Sequence, residues 1–250
     1  MHVYADPFWL PKQGNTEEEY EDACCPRKVT ERASCSFRCA VADGATETSF
    51  SGLWAGLLVQ AFGSGRLTSK RRQETLRSLQ GRWLSQVSAH PLPWFAEEKA
   101  RCGAFSSLLG LELGEASICG GGRWWRACAV GDSCLVQMRG DAILSSFPIR
   151  DSRAFNNRPL LLSSNPGRNK EATTMWTSRG GTWESEDAFY LMTDALACWF
   201  LTEAEKGQQP WRRLRDPQTG DGTFAELIAE LRRNGRMRND DVTLLRVTVD

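Results

Sequence analysis

The apolar positions of this chain change period as it runs, and each change marks an element. Residues 34–42 alternate or run apolar as a buried strand does, and they stop at Asp43-Gly44. Beyond a polar loop, Leu53, Trp54, Leu57, Leu58, Ala61 and Phe62 recur at three- to four-residue spacing, which predicts a helix with one apolar face. Helical spacing resumes over residues 67–90, through Leu76, Leu79, Trp83, Leu84 and Val87. It ends at His90-Pro91, where the histidine is placed to cap or pack rather than to catalyse. A third helix is predicted over about residues 94–109, with Phe95, Ala104, Phe105 and Leu108 among its inward positions. Gly120-Gly121-Gly122 reads as a turn, since neither the lysine nor the spacing of a phosphate loop follows.

From Arg123 the period drops to two. Residues 124–130 and 133–138 read as strands hinged on Gly131-Asp132, and Arg139-Gly140-Asp141 turns into 142–149, an antiparallel meander. Residues 173–177 form a candidate strand, and 188–192 a clear one that runs into Thr193-Asp194-Ala195 and a helix over 195–205. A short helix is predicted at 211–214 and a better one at 223–233, with Phe224, Leu227, Ile228 and Leu231 inward. The basic run Arg232, Arg233, Arg236 and Arg238 reads as a solvated helix end suited to the C-terminal dipole. Asn239-Asp240-Asp241 then leads into a last strand over 242–249. Residues 1–20 are expected to be irregular, 26–33 a hairpin-like connection, and 151–171 a surface loop.

At 250 residues without an obvious linker, the chain is expected to be one domain, 1–250, with residues 1–13 an irregular extension. Its 31 basic residues match its 31 acidic ones, which removes the simplest argument for nucleic acid or an anionic membrane as partner. No basic stretch followed by an apolar run opens the sequence, and no stretch approaches the about eighteen apolar residues of a membrane span. A cytoplasmic monomer is the expectation. Of the nine cysteines, Cys102, Cys119, Cys128, Cys134 and Cys198 sit in apolar segments, the pattern of reduced, buried thiols. Cys24, Cys25, Cys35 and Cys39 fit zinc-ligand spacings poorly, and only His2 and His90 could assist them.

The chemistry lies in where the carboxylates fall. Glu21-Asp22, Asp43, Asp194 and Asp240-Asp241 each stand at the end of a candidate strand, and Asp132 at a strand turn. Alone, Asp43-Gly44 is ordinary turn chemistry, its side chain bonding nearby amides. Together, these like charges would repel unless cations neutralise them. A donor set made of oxygen, without histidine or thiolate, suits magnesium or manganese better than zinc. Two such ions side by side activate water and clamp a phosphoryl oxygen, so a metal-dependent phosphohydrolase follows.

The ordered set Glu21-Asp22, Ala42-Asp43-Gly44, Val130-Gly131-Asp132-Ser133, Thr193-Asp194-Ala195-Leu196 and Asp240-Asp241-Val242-Thr243 resembles the metal-dependent protein phosphatases, the type 2C serine/threonine family, and its bacterial members in particular. The likeness runs over about residues 14–249. It implies an α+β fold of four layers, α-β-β-α, in which two central antiparallel sheets are flanked by helix pairs and a binuclear Mn or Mg centre sits at one edge. It also implies a phosphoserine or phosphothreonine protein as substrate. By the same likeness Asp43 would bridge both ions, aided by the Gly44 carbonyl, and Asp22 would orient the attacking water with Glu21 contributing nearby. Asp194 and Asp240 would hold one ion, Asp132 with Asp194 would form a weaker third site, and Asp241 would be a hydrogen-bonding support.

Three positions depart from the family pattern. Glu17 stands where many members carry a phosphate-gripping arginine, Ala45 where eukaryotic relatives carry a histidine, and Ala195 where glycine is usual. Arg27, Lys28 and Arg38 are the candidate replacements for the missing arginine. Glu17 and Ala45 motivate an alternative, a catalytically weak or inactive phosphatase fold serving as a binding or regulatory module. The hydrolase chemistry requires Asp22, Asp43, Asp194 and Asp240 to converge, with none locked against an arginine.

Overall fold

A computed structural model of the chain describes residues 1–45, 50–89, 100, 102–115, 122–156, 158–169, 174, 176–215 and 223–250. The first half runs β1 (His2–Leu10), β2 (Ala23–Cys25), β3 (Thr30–Ala33), β4 (Ser36–Ala42), α1 (Ser51–Gly63) and α2 (Arg72–Val87). Next come β5 (Phe105–Ser106), β6 (Leu108–Glu115), β7 (Arg123–Val130), β8 (Cys134–Arg139), β9 (Ala142–Phe147) and β10 (Leu162–Ser163). The last part holds β11 (Thr177–Thr182), β12 (Asp187–Met192), α3 (Asp194–Glu205), α4 (Pro210–Arg215), α5 (Phe224–Arg233) and β13 (Val242–Val249). Six strands form one antiparallel sheet in the order β3-β1-β13-β12-β8-β9, and five form a second, β11-β7-β6-β4-β2.

Strand alternation explains the layers. On β13, Val242 and Leu244 face the helices while Leu245, Val247 and Val249 face the other sheet. On β4, Phe37, Cys39 and Val41 point between the sheets, and Ala40 and Ala42 lie under α1. The core between the sheets therefore unites Val41, Leu109, Leu111, Leu113 and Trp125 with Leu135, Phe189, Leu191 and Leu245. Outside the second sheet, Trp54, Leu58, Leu79 and Trp83 bring in α1 and α2. Outside the first, Leu196, Phe200, Leu227 and Ile228 bring in α3 and α5. The architecture is the α-β-β-α sandwich that the family resemblance implied.

Several elements differ from the sequence expectations. The first 20 residues are not all irregular, since β1 is a central strand between β3 and β13. Pro7 and Pro11 hide it, but β3 pairs with β1 only from His2 to Ala5, so β1 has an open edge beyond Ala5, where a proline is tolerated. Residues 30–33, expected in a connection, are strand β3. The predicted helix over 94–109 fails at its end, where β5 and the start of β6 lie, and its earlier part falls on residues 90–99 and 101, outside those described. In β6 the leucines at 109, 111 and 113 face the other sheet and the residues between them face out. A Cβ on Gly110 would come within 2.4 Å of the Phe62 ring, so the glycine lets α1 approach the strand.

The predicted meander is also divided, because β7 and β8 belong to different sheets and Gly131-Asp132 carries the chain from one to the other. The strand sought at 173–177 lies later, as β11. Leu84, read as inward on α2, is 58% exposed. Cys102, read as buried, is exposed, while Cys134 is buried and Cys128 and Cys198 are half-buried. His90, Cys119, Gly120 and Gly121 lie outside the described residues.

Candidate metal centre

The second sheet's outer strand pair supplies the first acids. β2 pairs with β4 so that Ala23 stands opposite Ala42, which brings Asp22 and Asp43 to neighbouring strand ends. Asp43 is fixed there through its backbone: its N–H donates to Ser107 Oγ at 2.9 Å and its carbonyl accepts from Ser107 N–H at 2.8 Å. Ser107 Oγ in turn meets Ser133 Oγ at 2.7 Å, tying Asp43 to the turn that carries Asp132. Gly44 is required by close approach, because a Cβ there would lie 2.4 Å from the Glu21 carbonyl oxygen.

The first sheet supplies the rest. Asp194 opens α3 just after β12, and Asp240 and Asp241 precede β13, the strand paired with β12. Thr193 and Thr243 lock that junction: Thr243 N–H donates to Thr193 Oγ1 at 2.9 Å, and Thr193 N–H to the Thr243 carbonyl at 3.1 Å. Thr243 Oγ1 also donates to Asp22 Oδ2 at 2.8 Å, joining the two sheets' acids. Asp241 accepts from Glu21 N–H at 2.7 Å and from Lys12 N–H at 2.8 Å, so it holds backbone in place.

Carboxylate oxygens of Asp43, Asp132 and Asp194 lie within 4.8 Å of one another, and among the described residues this is the one such group. Asp194 Oδ1 is buried and has no hydrogen-bond partner. Electrostatics agree with the crowding. Burial first, then the charges of Asp43 and Asp241, push the Asp22 carboxyl well above the usual carboxylate range. Asp43 is pushed up to about 8, by burial and then by Asp132 and Asp240, with Arg238 pulling it down. Asp132 is raised too, chiefly by burial. An orphaned buried oxygen among three converging oxygen donors fits a hard divalent cation.

Of the residues singled out in the sequence, Asp43, Asp132 and Asp194 come closest together. Asp240 adjoins them through Arg238, and Asp22 lies behind them on Thr243. Glu21 is turned aside, its Oε1 accepting the Ser51 hydroxyl. Arg238 was missed. It was read as part of a solvated helix end, yet its guanidinium pairs with Asp194 Oδ2, and its Nε lies 3.1 Å from Asp240 Oδ2. The expectation that no acid would be held by an arginine is therefore overturned for Asp194 and for Asp240. The available signal was position, since Arg238 precedes Asp240 by two residues. Two of the three proposed substitute cations are occupied elsewhere: Arg38 pairs with Glu112 at 2.7 Å, and Arg27 lies over the Trp9 ring.

A sequence profile described as Protein phosphatase 2C matches residues 15–242. The chain belongs to that family. Solved structures of the same fold include the Mycobacterium tuberculosis serine/threonine phosphatase PstP/Ppp, at 14% identity and a TM-score of 0.57, with all of both chains covered. The S. agalactiae serine/threonine phosphatase aligns at 11% identity and 0.55, over 99% of this chain and 100% of its own. PppA, a regulatory component of T6SS in Pseudomonas aeruginosa, aligns at 17% and 0.54, over 99% of this chain and 98% of its own. At these identities the likeness carries the fold, not the substrate. A search of curated proteins by sequence finds no match. Among the described residues of this phosphatase 2C chain, no helix is long and apolar enough to cross a membrane.

Proposed function

We propose that the chain is a metal-dependent protein serine/threonine phosphatase that hydrolyses phosphomonoesters of phosphoserine or phosphothreonine by attack of water. The observation that carries this reading is the convergence of carboxylate oxygens from Asp43, Asp132 and Asp194, with Asp194 Oδ1 buried and unpartnered. Asp43, Asp132, Asp194 and Asp240 would hold manganese or magnesium, with the Gly44 carbonyl and Glu21 at the margin. Bound there, the ions supply the positive charge that lowers the pKa of water and neutralises the phosphoryl group. Asp22, buried and held by Thr243, would orient the attacking water. Asp241 keeps Glu21 and Lys12 in register with the centre through their backbone amides. No nucleophilic side chain is needed.

A second reading, a binding or regulatory module without turnover, is favoured by Arg238, which already supplies positive charge to Asp194 and Asp240. Hydrolysis of p-nitrophenyl phosphate and of a phosphothreonine peptide, with and without manganese, separates the two. Manganese-dependent turnover abolished in Asp43→Asn is expected. Turnover that ignores both the metal and the substitution would overturn the phosphatase proposal, and no turnover with intact manganese binding would favour the second reading.

A further inference from the structure

Across the second sheet from its inner core lies a cavity of about 610 Å³ whose charge is opposite to that of the acidic centre. Its floor is the outer face of β4, β6 and β7, where Arg38, Glu112 and Arg126 project, and its rim is the start of α2 with Lys70 and Arg72. Arg38 lies five residues before Asp43, about 16 Å along an extended strand, so the two sites are separate.

Cations in this cavity outnumber the acids. Glu112 is the one carboxylate among its described lining residues, and it is already taken by Arg38 at 2.7 Å. Arg72, Arg126 and Lys70 have no acidic partner among the described residues. Arg72 is the telling case: its guanidinium sits 4.2 Å from the centre of the Trp176 ring, and its Nε is buried with no acceptor. A partly desolvated guanidinium without a counter-ion is costly, and an anion in the cavity would remove that cost. The neighbouring Cys128 cannot serve, since burial pushes its thiol up to about 12 and it stays neutral. The amide end of α2, a helix of 16 residues, adds positive potential at the same rim.

We propose that this cavity binds a small organic di- or polyphosphate. Several unpaired cations spread over the floor and rim call for more than one anionic group. Phe62, Leu67 and Trp176 offer apolar surface for a carbon framework, and the volume is that of a small-molecule site. The site requires no divalent ion, so it is independent of the phosphatase reading.

The test is isothermal titration of the full chain in EDTA, with ADP and inorganic pyrophosphate as probes. Saturable binding at one site is expected, weakening as salt rises. Arg72→Gln and, separately, the exposed pair Lys70→Gln with Arg126→Gln should each weaken binding by about tenfold or more. Arg153→Gln, which removes an exposed arginine outside the cavity, should leave it unchanged. No saturable binding of either probe at millimolar concentration would overturn the proposal. So would an equal loss in Arg153→Gln, or full affinity in the folded Lys70/Arg126 double variant.

Discussion

Arg238 offers the sharpest perturbation, because it puts a tethered positive charge where the phosphatase reading puts free ones. Its guanidinium touches Asp194 and lies 3.1 Å from Asp240, so it must leave or share those oxygens when a divalent ion binds. A unit charge about 4 Å from another is worth about 1 kcal/mol in water and about 4 kcal/mol in a partly screened site. Arg238 is 47% exposed while the Asp194 side chain is only 8% exposed, so the interaction belongs between a surface pair and a buried one. About 1–3 kcal/mol of competition follows, and Arg238→Gln should tighten manganese binding by roughly 5- to 150-fold. The same substitution leaves the acids without a counter-charge, so the metal-free protein should melt several degrees lower and regain that loss with manganese. Titration calorimetry of metal-stripped protein, paired with melting curves, reads both effects. Unchanged or weaker manganese affinity in the variant would show that Arg238 does not compete for these oxygens.

Three further outcomes follow from the same geometry. Asp43→Asn should lower manganese-dependent hydrolysis by at least about 100-fold, yet raise the melting temperature in EDTA, because one of several mutually repelling carboxylates is gone. The pH dependence has a fixed sign: the Asp43 carboxyl, at about 8 in the folded chain, lies above the about 3.9 of an unfolded aspartate. The fold then holds that proton more tightly, so metal-free stability falls as pH rises between those values, and manganese, which must displace the proton, binds more tightly from pH 6 to 8.5. Flat affinity over that range in calorimetry would contradict it. Gly44→Ala, whose methyl would meet the Glu21 carbonyl at 2.4 Å, should cost about 1–3 kcal/mol in a denaturant melt.

The acids on which the phosphatase reading rests were legible because each stands at the end or the entry of a strand, where an apolar run meets a carboxylate. β12 into Asp194 and β13 after Asp241 are the clearest cases. The four layers were legible only through the family motifs, since alternation on a single strand does not say which sheet it joins. β7 and β8 show the limit, for Gly131-Asp132 looks like a hairpin turn and is a crossing between sheets. The start of β6 was lost to helix-like spacing of Ala104, Phe105 and Leu108, where glycines at 110 and 114 mark a strand packed closely by Phe62 and Trp124. Arg238 was lost for another reason. A basic residue after a helix has an adequate local explanation, and only the tertiary approach of the β13 entry to the start of α3 reveals its partners.

The central claim is that acids from both sheets share divalent ions at one edge of the sandwich. Anomalous diffraction from crystals soaked in manganese tests it most directly. Density within coordination distance of Asp43 and Asp194, with the Arg238 guanidinium moved off Asp194, is the predicted result. An absence of manganese density beside Asp43 at millimolar metal, with Arg238 still seated on Asp194, would contradict it.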